Sequence, residues 1–178
     1  MVILGFAGRI ASGKSTIARS ISKILGWPYS SFGDCVRAIA EERGISLDRK
    51  SLQTLGQSLV NQDCLSFCRR VLEGSGNTNN QSIVVDGIRH VKVVDILKQL
   101  VTPNKLIIIF IDTPENIILN RLGEKEIYNI EDLETIEEHS TEAEVKTTLK
   151  TIADLIVDGR KQAKDIVDEI LLWLQKQK

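Results

Sequence analysis

The sequence predicts a three-layer α/β/α fold built on a parallel sheet, and three observations carry that prediction. Apolar strands alternate with amphipathic helices along the chain, the clearest strands are continuous apolar runs, and a glycine-rich loop joins the first strand to the first helix. Continuous runs mark strands buried on both faces, which a parallel sheet achieves when helices cover each side.

The elements follow in order. Val2 to Ala7 is a short apolar run that stops at Gly8 and reads as a buried strand. From Lys14 to Leu25, apolar Ile17, Ala18, Ile21, Ile24 and Leu25 recur at helical spacing, and Gly26 and Pro28 end the helix. Asp34 to Arg43 reads as a helix closed by Gly44, and Leu47 to Leu72 as two more. Gly74 to Gln81 is a polar loop without periodicity. Ser82 to Asp86 is a buried strand ending in a carboxylate, Val91 to Leu100 a helix, and Lys105 to Asp112 the strongest strand. Pro114 suits the first turn of a helix that ends near Arg121. Asp154 to Asp158 is a last short strand and Arg160 to Gln177 a closing helix. Between them, Gly123 to Glu144 holds nine carboxylates and one basic residue, Lys125. That interval reads either as a solvated acidic helix or as a short lid over a site.

Composition bounds the function classes. With 178 residues, 42% of them hydrophobic, the chain suits a single domain, 1–178, whose core needs no disulfide or structural metal. A net charge of -1 gives no basic surface for a nucleic acid. No apolar run approaches the ~20 residues that span a bilayer, so no membrane partner is expected. The N-terminus runs straight into strand and loop, unlike a signal peptide. Cys35, Cys64 and Cys68 lack zinc-site spacing, and His90 and His139 are isolated, so reduced cysteines in a cytoplasmic protein are expected.

The chemistry begins at Gly8-Arg9-Ile10-Ala11-Ser12-Gly13-Lys14-Ser15, which matches GxxxxGK[ST] between a strand and a helix. Glycines let backbone N–H groups turn inward around an anion, and the helix adds the positive end of its dipole. The motif points to ATP held by Gly8, Ala11, Ser12, Gly13, Lys14, Ser15 and Thr16. Lys14 would meet the β- and γ-phosphates, and the Ser15 hydroxyl Mg²⁺. Asp86, closing a second apolar strand before Gly87, is the candidate for the metal or its water, the alternative being a cap for the helix near Val91.

With these pieces the chain resembles the P-loop nucleoside-monophosphate-kinase group, which includes adenylate kinases and dephospho-CoA kinases. Phe32-Gly33-Asp34-Cys35-Val36-Arg37 is similar to the group's T-G-D-x-x-R, and Asp86-Gly87-Ile88-Arg89 to its D-G-F-P-R, one residue shorter and without the proline. Ile109-Phe110-Ile111-Asp112 precedes a helix ending in Arg121, where the group places an arginine near ATP. A narrower likeness to its branch of dephospho-CoA-kinase-like and deoxynucleotide-kinase-like proteins runs through Asp48 to Gly56, His139 to Glu142, and Ala153-Asp154. The resemblance implies a five-stranded parallel sheet in the order 2-3-1-4-5, an acceptor-binding helical subdomain at about 34–72, and a lid at about 123–144. It also implies transfer of the ATP γ-phosphoryl to a nucleoside monophosphate or related nucleotide, by a monomer or homodimer. The lid interval carries no arginine, so Lys14, Arg37, Arg89, Arg121 and Mg²⁺ must supply the positive charge, with Arg9 and Lys125 as further candidates.

Each of these residues has a second reading. Arg37 grips an acceptor phosphate or pairs with Glu41. Asp34 orients the acceptor, takes its proton, or caps a helix. Arg89 binds phosphate at the mouth of the sheet or makes a salt bridge within its loop. Arg121 serves ATP or its own helix's C-terminal dipole. Trp27 and Trp173 are expected to pack against the domain. Dephospho-CoA as acceptor, or a regulatory protein that only hydrolyses ATP, remain the rival functions.

Overall fold

The computed structural model describes residues 1–74, 81–123 and 145–177. Twelve segments follow one another: β1 (Val2–Gly8), α1 (Lys14–Leu25), β2 (Tyr29–Ser31), α2 (Phe32–Glu42), α3 (Arg49–Glu73), β3 (Ile83–Ile88), α4 (Val91–Val101), β4 (Lys105–Asp112), α5 (Glu115–Gly123), a π-helical turn (Val145–Leu149), β5 (Leu155–Asp158) and α6 (Ala163–Gln175). The sheet is five-stranded, all parallel, in the order β2-β3-β1-β4-β5, the expected order.

Strand alternation divides the core into the two outer interfaces of three layers. Ile83 and Val85 of β3 and Ile108 and Phe110 of β4 face α2, α3 and α4, together with Val36, Phe67 and Leu97. Val84 of β3 and Ile107, Ile109 and Ile111 of β4 face the other way, against Ile17 and Ile21 of α1 and Ile166 and Ile170 of α6. Period-2 geometry therefore decides where Asp86 points: it is two residues beyond Val84, on the α1 side. Trp27 and Trp173 pack on that same face as expected.

Several boundaries differ from the sequence reading. β2 has three residues, two of them serines, and lacks the apolar run that marks a strand; it forms because β3 offers Val84, Val85 and Asp86 as partners. The two helices expected between Leu47 and Leu72 are both present, by contrast: they run on from one another as α3 and meet at Asp63, whose φ −149°, ψ 77° leave the helical region. Cys64 and Cys68 share a face just past that kink, both buried, with their sulfurs 4.0 Å apart. The expected lid falls almost wholly on residues 124–144, outside the described residues, and most of the polar loop on 75–80 likewise. Among the described residues no helix is long and apolar enough to cross a membrane.

Candidate active site

The C-terminal ends of the strands bring together five segments: the loop 8–15, the start of α2, the end of β3, the Asp112–Thr113 turn with Arg121, and the Asp158–Gly159 turn. The loop is shaped by backbone that few residues adopt. Gly8 (φ 146°) and Gly13 (φ 91°) lie at positive φ, and so does Ala11 (φ 52°), at a cost of roughly 1–2 kcal/mol for a residue with a Cβ. A Cβ on Gly8 would stand 2.8 Å from the Ile111 carbonyl oxygen, so the loop sits tightly on β4.

Lys14 is buried at the start of α1 and its Nζ donates to the Arg9 carbonyl at 3.2 Å across the loop. Ser15 and Thr16 expose their side chains in the first turn. Ser12 is buried, and its hydroxyl has no hydrogen-bond partner among the described residues.

Arg121 does not serve its own helix. Its Nη1 donates to the Ala11 and Ser12 carbonyls at 3.2 Å each, and its Nη2 to the Gly159 carbonyl at 3.1 Å. The guanidinium thus straps the loop to the turn after β5. Thr113 adds a bond from its hydroxyl to the Ser12 carbonyl at 3.2 Å. Asp158 is taken by Arg160, whose hydrogen bonds hold its carboxyl at about 2.

Asp86 is not a helix cap. His90 occupies the cap position of α4, and Asp86 instead accepts a hydrogen bond on Oδ2 from the Tyr29 hydroxyl at 3.0 Å. Burial, and then the Asp86 charge, push the Tyr29 phenol above its ordinary value, so it remains the donor. The carboxylate is 3% exposed, and its Oδ1 has no hydrogen-bond partner among the described residues. An orphaned buried carboxylate oxygen, together with the Ser15 hydroxyl, is a hard-oxygen donor set that fits Mg²⁺. After Asp86 the strand carries one extra residue: the β1–β3 register steps from Phe6↔Asp86 to Ala7↔Ile88, leaving Gly87 at φ 86°. Half-buried Arg89 follows, and a Cβ on Gly87 would lie 3.7 Å from Phe32 and Gly33 at the start of α2.

At α2 the structure decides two further alternatives. The cap is Ser31, whose hydroxyl accepts from the Asp34 N–H at 3.2 Å, so Asp34 is not the cap. Its carboxylate accepts instead from Arg37 at 2.7 Å and from Arg19 of α1 at 3.2 Å, and the pair expected between Arg37 and Glu41 gives way to Arg37–Asp34. Arg19 also lies over the Tyr29 ring, 4.2 Å from its centroid. Arg19 and Tyr29 were not singled out from the sequence. The available signal was that Arg19 stands four residues after Ser15, hence on the same face of α1.

A phosphate-type loop on β1, a carboxylate at the end of β3, and cationic side chains around them define a P-loop nucleotide-binding protein with the kinase fold. Residues 7–140 match the family model described as an AAA domain, and the chain belongs to that family. The shikimate kinase of Aquifex aeolicus superposes with a TM-score of 0.61 at 19% identity, over 99% of this chain and 98% of that one. A UPF0200 protein of Thermococcus kodakarensis is 30% identical over 130 residues, 68% of this chain and 65% of its own length. A cytidylate kinase of Methanothrix thermoacetophila is 46% identical over 46 residues, 26% of this chain and 27% of its own. The chain spans between 52% and 66% of the length of the UPF0200 proteins it matches. The expected kinship with the P-loop nucleoside-monophosphate-kinase group holds at the level of fold.

Proposed function

We propose that this protein is an ATP-dependent small-molecule kinase that transfers the ATP γ-phosphoryl to a nucleoside monophosphate or related nucleotide. One observation carries the reading: the loop bearing Lys14 follows β1, and the neighbouring strand β3 ends in a buried carboxylate, Asp86, that keeps an unused oxygen, at the edge where Arg19, Asp34 and Arg37 gather. On this reading the loop N–H groups and Lys14 bind the ATP phosphates, Arg121 braces that loop, and Ser15 and Asp86 hold Mg²⁺. The bound metal would neutralise charge on the transferring group. Arg37 and Arg89 grip the acceptor, within a single domain whose helices at about 34–72 form the acceptor side and whose lid lies at about 123–144.

The acceptor class follows from Asp34. Each of its oxygens already accepts from a guanidinium group, so the contacts shown tie this carboxylate to Arg19 and Arg37 and not to a hydroxyl. A phosphate acceptor needs no base at neutral pH and is drawn by the same arginines. This favours a monophosphate over the ribose hydroxyl of dephospho-CoA, and the local match to a cytidylate kinase supports the same class.

The test is a screen of ATP turnover with nucleoside monophosphates, nucleosides and dephospho-CoA, read by product identity. A phosphorylated monophosphate is expected, with Lys14→Ala and Asp86→Asn both folded and inactive. Release of ADP and inorganic phosphate alone, with every acceptor, would replace the kinase reading with a regulatory ATPase.

A further inference from the structure

We infer that Tyr29 is a positioning residue for the reaction proposed above: its hydroxyl fixes Asp86 so that the second carboxylate oxygen faces the divalent cation of the bound nucleotide. The inference rests on the metal role proposed for Asp86.

The geometry comes from three elements. Tyr29 and Ser31 lie on the same face of β2, and Ser31 is opposite Asp86 in the register, so the Tyr29 side chain runs diagonally across to that carboxylate. Its hydroxyl donates to Oδ2 at 3.0 Å. The ring is held in turn by the Arg19 guanidinium, 4.2 Å above its centroid, and Arg19 is anchored on Asp34 at 3.2 Å. Residues of β2, α1 and α2 therefore converge on one oxygen of Asp86 and leave the other, Oδ1, buried and without a hydrogen-bond partner among the described residues. A buried charged oxygen left unsatisfied is costly. Here the cost is confined to the one atom that a cation or its water would satisfy. Removing the hydroxyl frees the carboxylate to rotate, and a ligand that must first be oriented binds more weakly.

Tyr29→Phe isolates this role, because it keeps the ring, its packing and the Arg19 contact. Mn²⁺ is titrated into the ADP complex of the wild type, Tyr29→Phe, Asp86→Asn and the double variant, following free Mn²⁺ by its paramagnetic signal. ADP affinity is measured separately in EDTA. Tyr29→Phe is expected to weaken Mn²⁺ binding about tenfold, the lower end for loss of a group that orients a metal ligand, with metal-free ADP affinity unchanged. The double variant should bind Mn²⁺ no worse than Asp86→Asn, since the hydroxyl acts only through the carboxylate. Wild-type Mn²⁺ binding in Tyr29→Phe, with loss in Asp86→Asn, overturns the positioning role and leaves the metal assignment standing. Wild-type binding in both overturns the metal assignment itself. An equal loss of metal-free ADP affinity in Tyr29→Phe makes the residue a general packing element and also overturns the inference.

Discussion

Arg121 offers the sharpest test of how the loop is held before any nucleotide arrives. Its guanidinium reaches two loop carbonyls and the Gly159 carbonyl at 3.1–3.2 Å from a half-buried position. Hydrogen bonds from a charged donor contribute about 1.5–3 kcal/mol each, but Nη1 serves two acceptors and water can reach the vacated carbonyls. The loss in Arg121→Ala is therefore set near ~2 kcal/mol and not at the sum of three bonds. In a domain of this size ~1 kcal/mol moves the melting temperature by about 2–4 °C, so a fall of about 4–8 °C is expected. Arg121→Lys keeps the charge but ends in one nitrogen, which cannot bridge the loop and the Gly159 turn together, so it should recover only part of the loss. The assay is thermal unfolding by circular dichroism without nucleotide, alongside ATP titration. If nucleotide-free Arg121→Ala melts with the wild type, the strap contributes nothing and the reasoning fails.

Three further outcomes are expected. In Gly159→Ala the new methyl would start 1.9 Å from the Thr113 hydroxyl and 3.1 Å from the Asp112 carbonyl oxygen, so the turn must move; overpacking of this kind costs about 1–3 kcal/mol, and a wild-type melting curve would contradict it. Arg37→Ala and Arg89→Ala should each weaken acceptor binding roughly ten- to hundredfold, at ~1.4 kcal/mol per decade, with much less effect on ATP; loss mainly on the ATP axis would move both to the donor side. Burial raises the Cys64 and Cys68 thiols above their ordinary range, so iodoacetamide under native conditions should leave both unmodified, as peptide mass mapping would show.

The parts of this protein that could be read from its sequence are those whose cause is local. The loop from Gly8 to Ser15 needs positive φ at fixed positions, and glycines announce it; β3 and β4 are buried on both faces, and unbroken apolar runs announce that. What escaped depends on partners far along the chain. β2 buries Ser30 and Ser31, and Ser30 is satisfied by the Val71 carbonyl at 2.5 Å, forty-one residues away, so no local pattern marks it. Tyr29 and Arg19 escaped for the same reason: a single aromatic next to Pro28 and a single arginine on α1 acquire meaning only when the β2–β3 register carries the ring to Asp86. Asp34 and Arg37 were visible as residues, yet their mutual pairing was not, because Glu41 and Asp34 stand at equally good helical spacing from Arg37.

The cationic groups of the proposed site differ in their partners, and the difference bears on how each would take up an anion. Lys14 donates to the Arg9 carbonyl at 3.2 Å, and Arg121 to three backbone carbonyls at 3.1–3.2 Å. A phosphate oxygen is a charged acceptor and forms a shorter, stronger bond than a carbonyl. On the proposed reading, phosphate is a stronger partner for Lys14 than the Arg9 carbonyl, while Arg121 keeps its bonds to the loop and the Gly159 turn. On the side proposed above for the acceptor the arrangement differs: Arg37 and Arg19 are balanced by the Asp34 carboxylate, a charged partner that a dianion would have to outcompete or join. Both salt bridges are more than half exposed, where such pairs contribute only ~0–1 kcal/mol. A doubly charged phosphate met by two forks exceeds that, whereas a neutral hydroxyl does not, and this difference favours a phosphate-bearing acceptor.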